Sequence, residues 1–197
     1  DLKHPKGYEV LERLVRTSDV LVENFKTDVK HRLKIDYESL AKVNPRLIVG
    51  SVSGFGQEGP YAERAGFDQI VQGMSGLMSL TGVPDGDPMR VGIAVSDTSA
   101  GMFLGQGILL ALLEREQTGR GQWVHTSLLE AMLSKLDFQG SRYTMDGDCP
   151  DRHGNHHPTA APMGVFRASD GFVNLAATSG RMWRVFCEAL SLDAPFI

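Results

Sequence analysis

Short apolar runs bounded by polar residues alternate with amphipathic stretches through the first two thirds of the chain, and few folds accommodate that alternation. Asp19-Val-Leu-Val-Glu-Asn24 and Arg46-Leu-Ile-Val-Gly-Ser-Val-Ser53 have the form of strands buried in a parallel sheet. Between and around them lie helical patterns. Tyr8, Leu11, Leu14 and Val15 share one face of a helix expected over Pro5 to Thr17, with Pro at a permitted early position. A helical pair is expected over about Asp28 to Asn44, broken near Ile35, where Asp36 is placed to cap the second helix. Further helices are expected over Phe67 to Leu80, Asp97 to Gln117 and Leu128 to Met145, with a strand over Gln122 to Ser127. Gly119 stands where a left-handed helix cap belongs. The expectation is an α/β fold: a large domain with a mostly parallel sheet and flanking helices.

The pattern changes near Met145. Asp146 to Pro158 is rich in turn formers, and beyond it Gly164-Val-Phe166, Gly171 to Ala177 and a helix from Arg181 to Leu190 read as the opening of a smaller α+β unit. The expected organisation is a large domain over 1–147, a linker or active-site loop over 148–162, and the beginning of a small domain over 163–197. The chain opens on Asp1-Leu2-Lys3-His4-Pro5, without an initiator Met or the apolar core of a signal peptide, and stops soon after an expected helix. Both ends read as cut.

Composition narrows the function classes. The formal net charge of -4 supplies no basic face for nucleic acid. No uninterrupted apolar run reaches the roughly 18 residues of a membrane span. The 2 cysteines, Cys149 and Cys187, are far apart and lack metal-type spacing, so the reading is a reducing, cytoplasmic setting. His153, His156 and His157 lack a second cluster with paired spacing, and their Gly, Asn and Pro neighbours favour a loop over a metal site. Asp85 and Asp87 lack the remaining ligand positions of a calcium loop. No metal site is expected.

Asp97 lies at the expected start of the longest helix. On local sequence alone, capping outweighs catalysis. Helix-end N–H groups favour the ionised carboxylate, the form a nucleophile needs, and Ser96, Ser99, Ala100 and Gly101 leave room beside it. Gly54-Phe55-Gly56-Gln57 follows a strand, where α/β folds place ligands, but it lacks the dinucleotide spacing. Lys26, Lys30, Arg32 and Lys34 form a basic stretch on one expected helix, a solvated face or one that meets phosphates.

Several segments, in consistent order, resemble the family III coenzyme A transferases. They are Asp19 to Phe25, Asn44-Pro-Arg-Leu-Ile48, Ser53-Gly-Phe-Gly-Gln57 with Gly59-Pro-Tyr61, Arg64-Ala-Gly-Phe-Asp68 and Ser75-Gly-Leu-Met78. Gly92-Ile-Ala-Val-Ser-Asp97, Gly101-Met102, Glu116-Gln-Thr-Gly-Arg-Gly-Gln122 and Gly154-Asn155 with His157-Pro158 continue the series. The resemblance implies the middle of a chain about twice as long, an interlocked homodimer, and acyl-CoA and carboxylic acid substrates with no permanently bound cofactor. It implies Asp97 as nucleophile, passing through an aspartyl anhydride and an aspartyl-CoA thioester, with Asp68, at an acidic position beside it, as the second catalytic residue. It also implies coenzyme A contacts at Asn24, Phe25, Arg32, Gly54, Phe55, Gly56, Phe67 and Met102. The α-methylacyl-CoA racemase branch shares the Asp position but supplies a His–Asp pair and a Glu; here Phe67 and Ser179 stand at those places, which favours transfer. A non-catalytic relative, with Asp97 only a cap, is the remaining alternative. The loop over Gly154 to Pro158 and the stretch Arg64 to Asp68 look closer to members that use succinyl-CoA or other small dicarboxylates.

Overall fold

A computed structural model describes residues 1–192 and divides into two compact units, one of residues 1–78 and 90–149, the other of residues 79–89 and the chain from 150 onward. The first unit carries the parallel sheet. Its strands β1 (Val20–Glu23), β2 (Ile48–Ser53) and β3 (Trp123–Ser127) pair in that order, with Val20 opposite Ile48 and Val49 opposite Trp123. The expected parallel α/β architecture is therefore present.

The early helices follow local chemistry. Helix α1 (Pro5–Thr17) starts with Pro5, whose missing N–H costs nothing in a first turn. Helices α2 (Thr27–Leu33) and α3 (Tyr37–Ala41) are separated at Lys34, which adopts a left-handed conformation (φ 54°). Asp36 then caps α3 by accepting the Ser39 N–H at 2.9 Å. Val15, Ile35, Leu40, Leu47 and Val49 join these helices to the sheet in one buried cluster.

Helix α4 (Asp68–Met74) and the short α5 (Leu77–Leu80) replace the single helix expected over Phe67 to Leu80. The break falls at Gly76, whose φ of 90° no helix tolerates. Helix α6 (Val95–Thr118) runs 24 residues and ends at Gly119 in the left-handed cap expected for it. Its length and apolar composition match a membrane span, yet it packs against β2 and β3 and buries Arg115, paired with Asp19 at 2.8 Å. Contact with the sheet is close because Gly50 and Gly107 carry no side chains: a Cβ on either would crowd Ile108 or Val124.

The helix expected over Leu128 to Met145 is broken into α7 (Leu128–Ser134), α8 (Asp137–Ser141) and a π-type turn over Arg142–Asp146. Asp137 sits at φ 50°, which interrupts the regular ladder. Val71, Ala100, Leu128, Ala131 and Met132 form a second buried cluster joining α4, α6 and α7.

In the second unit, β4 (Met163–Arg167) and β5 (Phe172–Ala176) form an antiparallel pair, followed by α9 (Gly180–Leu190). Segment 79–89 belongs here because Arg152 donates to the Ser79 and Gly86 carbonyls at 3.2 and 2.6 Å. Residues 193–197, the end of the expected small-domain segment, lie outside the described residues.

Candidate active site

The carboxyl ends of three parallel strands leave backbone turns around a common hollow, and in the first unit this hollow is a cavity of about 900 Å³. Val22, Glu23 and the Asn24–Lys26 turn enter from β1, Val52, Ser53 and Gly54 from β2, and Leu128 from the start of α7. The opposite wall is the segment from Arg64 to Asp68, together with Asp97 and Gly101 of α6.

Two glycines allow these walls to meet. A Cβ on Gly54 would run into the Gly66 backbone, and a Cβ on Gly66 into Gly54. Beside them, the Gly56 N–H donates to Ser53 Oγ at 3.1 Å, and Phe55 packs edge-on to Tyr61 with ring centres 5.7 Å apart.

The start of α6 distributes its roles between two aspartates. Asp97 is the third residue of the helix, and Ala94 at the cap position makes no side-chain bond. The capping is supplied by α4: Asp68 Oδ1 accepts from Ser96 N at 2.9 Å and from Ser96 Oγ at 2.8 Å. The other Asp68 oxygen accepts from Gln72 at 2.7 Å and faces Arg90 at 3.5 Å. Despite its burial, these bonds hold the Asp68 carboxyl below its ordinary value. Asp97 has no side-chain hydrogen bond or ion pair among the described residues and is exposed on the cavity wall. Partial loss of its water shell, and then repulsion from Asp68, push its carboxyl above the ordinary value. One turn further on, the bare Gly101 leaves the space beside Asp97 open.

Of the residues singled out from sequence, Asn24, Phe25, Gly54, Phe67, Asp68 and Asp97 come together on this cavity. Phe55, Gly56 and Met102 are not on its lining; Met102 is an exposed side chain of α6. Arg32 is elsewhere, exposed on α2, paired with Asp28 at 3.0 Å, and bordering a separate basic cleft with Lys3, His4 and Lys34. In the second unit, His156 packs edge-on to Phe166, His157 Nδ1 accepts the Thr159 N–H at 3.2 Å, and Ser179 caps α9. Among the described residues no group of three His, Cys, Asp or Glu side chains is placed to hold a metal ion.

One residue of the site's surroundings departs from the sequence expectation. Lys30, expected with Lys26, Arg32 and Lys34 on a basic stretch that is solvated or meets phosphates, points inward and is only 2% exposed. Glu23 and Gln57, its buried partners, carried no separate signal in the sequence. The i, i+7 spacing of Glu23 and Lys30 across a strand-to-helix turn was the available clue, a weak one.

Fold and cavity define the class: an α/β protein with a cavity at the carboxyl ends of a parallel sheet and an unbonded carboxylate at a helix start. A family model described as CoA-transferase family III matches residues 1–196, and the chain belongs to that family. Similar proteins include a succinate–glutarate CoA-transferase of Agrobacterium fabrum, 45% identical over 194 residues, covering 98% of this chain and 48% of that protein. An acetyl-CoA:oxalate CoA-transferase of Acetobacter aceti is 41% identical over 191 residues, covering 96% of this chain and 49% of that protein. The crystal structure of a CaiB/BaiF family protein from Brucella suis superposes with a TM-score of 0.86 at 40% identity, over 98% of this chain and 51% of that one. The chain thus spans about half the length of the relatives it matches.

Proposed function

We propose that the full-length protein moves coenzyme A from an acyl-CoA donor to a carboxylic acid acceptor, with Asp97 as nucleophile. One observation carries this reading: Asp97 is exposed on the cavity wall at a helix start, yet its capping work is done by Asp68. A carboxylate with no structural bond to break can attack an acyl carbon without first leaving a partner.

The chemistry suits an ionised carboxylate and needs no net proton transfer. An Asp97 oxygen attacks the donor thioester carbonyl, the C–S bond breaks, and a mixed anhydride forms with release of the coenzyme A thiolate. The thiolate then attacks the Asp97 carbonyl of that anhydride, expelling the donor carboxylate and leaving an aspartyl-CoA thioester. The acceptor carboxylate repeats the two steps in reverse and restores Asp97. Four addition–elimination steps thus replace one difficult exchange. The positive end of the α6 dipole favours the negative charge on Asp97 and on the tetrahedral adducts formed from it.

Asn24, Phe25, Gly54 and Phe67 are the cavity positions we assign to the acyl-CoA, and Asp68 the role of holding α6 and its nucleophile in place. Arg32, Phe55, Gly56 and Met102 stay in the proposal as coenzyme A contacts that the family resemblance implies; the basic cleft at Arg32 suits a phosphate. The two bacterial relatives carry succinate, glutarate and oxalate in their names, which supports small dicarboxylates as the acid class. An interlocked homodimer, a cytoplasmic setting, and a large domain to residue 147 followed by a 148–162 active-site loop and a small domain belong to the same proposal.

Racemisation needs a base on each face of the α-carbon. Phe67 offers none, and both Asp68 oxygens are engaged, so transfer is the better fit.

The test is to treat the full-length protein with an acyl-CoA, trap with hydroxylamine, and locate the modification by mass spectrometry. A hydroxamate on Asp97 is expected. A hydroxamate on any other residue overturns the assignment.

A further inference from the structure

Behind the cavity, a charged side chain sits where an apolar one would pack at lower cost. Lys30 on α2 is 2% exposed, and its ammonium reaches three elements at once. It donates a hydrogen bond to Gln57 Oε1 on the loop leaving β2, pairs with Glu23 Oε1 at the end of β1 at 3.8 Å, and lies 4.3 Å from the ring centre of Trp123 on β3. The indole is itself held, its N–H donating to Ser51 Oγ at 2.8 Å. Glu23 completes the chain toward the site: Oε2 accepts the Phe25 N–H at 2.7 Å, and Glu23, Asn24 and Phe25 all line the cavity.

We infer that Lys30 is a positioning residue, which fixes the Asn24–Phe25 turn through Glu23 and the loop beyond Gly54 through Gln57. The inference rests on the proposed function for its bearing on acyl-CoA, but the clamp itself stands on the contacts. Burial disfavours the charged ammonium and lowers the Lys30 pKa, so this arrangement is an expensive way to fill a core. An apolar side chain of similar length would pack there without that penalty, but it would leave Glu23 a buried carboxylate without its cation. Glu23 Oε1 and Gln57 Nε2 already lack hydrogen-bond partners, so no other group of the described residues takes over the role. Neither Lys30 nor Gln57 borders the cavity, and both act through the backbone they hold.

The test uses the full-length protein with Lys30→Met, Lys30→Gln and the pair Glu23→Gln/Lys30→Met. In Lys30→Met, amide hydrogen exchange at Phe25 should speed up at least about tenfold while Val49, in the sheet core, keeps its protection. KM for the acyl-CoA should rise about tenfold with kcat within about twofold, the mark of lost binding geometry rather than lost chemistry. The paired variant buries no charge but still lacks the ammonium that holds the Glu23 position and Gln57, so its KM should stay raised about as far as in Lys30→Met. If Lys30→Met does not fold, Lys30→Gln carries the same readouts with a smaller shift. Unchanged exchange at Phe25, equal loss at Phe25 and Val49, an unchanged KM, or full recovery in the paired variant, which would assign the defect to the buried Glu23 charge, overturns the inference. A parent protein without acyl-CoA exchange overturns the proposed function instead, and the Phe25 readout then judges the clamp alone.

Discussion

Asp97 and Asp68 occupy the same cavity wall, but their surroundings push their carboxyls in opposite directions. Asp68 is stabilised as an anion by Ser96, Gln72 and Arg90, whereas Asp97 has lost water and gained a like-charged neighbour. The signs of two predictions follow. A carboxyl whose pKa is raised on folding makes the protein less stable when ionised, so its contribution is most favourable below the unfolded value and declines as pH rises through the folded one. Asp97→Asn should therefore melt at an equal or higher temperature than the parent near neutral pH. That advantage should vanish at pH values where both forms are uncharged, while coenzyme A exchange falls by at least about a thousandfold. Thermal melts across pH, paired with an exchange assay, read both. Asp68 has the reverse sign: its stabilising contribution is present above the unfolded value and is lost as pH falls through the depressed one. Asp68→Asn should cost about 1–2 kcal/mol at neutral pH, since a charge-assisted cap and the Arg90 pair weaken together. It should also move the acid limb of kcat/KM downward, because Asp97 loses its repelling neighbour. An unmoved limb would mean that loss of water alone sets the Asp97 pKa. The sequence brought Asp97 to notice and left capping as the better local account. It was silent on the resolution, because the cap arrives from a residue 28 positions earlier on another helix.

Elements were legible where their signals are local. The limits of α1, the Asp36 cap, the Gly119 stop and the three parallel strands all follow from residues within a turn or two of the feature. Reading failed where backbone geometry departs from the periodic pattern. Leu128 to Met145 keeps helical spacing throughout, yet Asp137 at positive φ splits it, and no proline or glycine at that position announces the break. Lys30 failed for a different reason: a charged residue on a short helix is ordinarily at the surface, and only the tertiary positions of Glu23, Gln57 and Trp123 turn it inward. The contact between the Gly54 turn and the Gly66 segment is also non-local, and it governs cavity shape more than either loop does alone. Gly66→Ala should cost on the order of 1–3 kcal/mol through overpacking against the Gly54 backbone. Its effect on KM for the acyl-CoA should exceed that of Gly92→Ala, where an added Cβ meets nothing. Equal effects from the two substitutions would remove the Gly54–Gly66 approach from the account of the site.

At the scale of the whole chain, α6 is apolar on nearly all sides but is covered by these residues on only one. Ala100, Leu104 and Ala111 are buried, whereas Met102, Leu109, Leu110 and Leu113 lie along the opposite face and are each more than 60% exposed. A helix apolar all round is normally enclosed, and an exposed stripe of this kind promotes association. Matched relatives have about twice as many residues, and under the function proposed above a full-length protein of that size would cover this face. The prediction is a contrast between two contexts. In the 197-residue chain alone, Leu110→Asp with Leu113→Asp should reduce self-association, read by light scattering, with little change in the melting of the sheet. In the full-length protein the same pair should destabilise by several kcal/mol, because each aspartate would then be forced into an apolar contact. If the pair is neutral in both contexts, the stripe is solvent-facing by design, and the uniform apolarity of α6 needs another explanation. If it destabilises the short chain as much as the long one, the leucines already do their packing within residues 1–192, and the exposed face described for α6 is wrong.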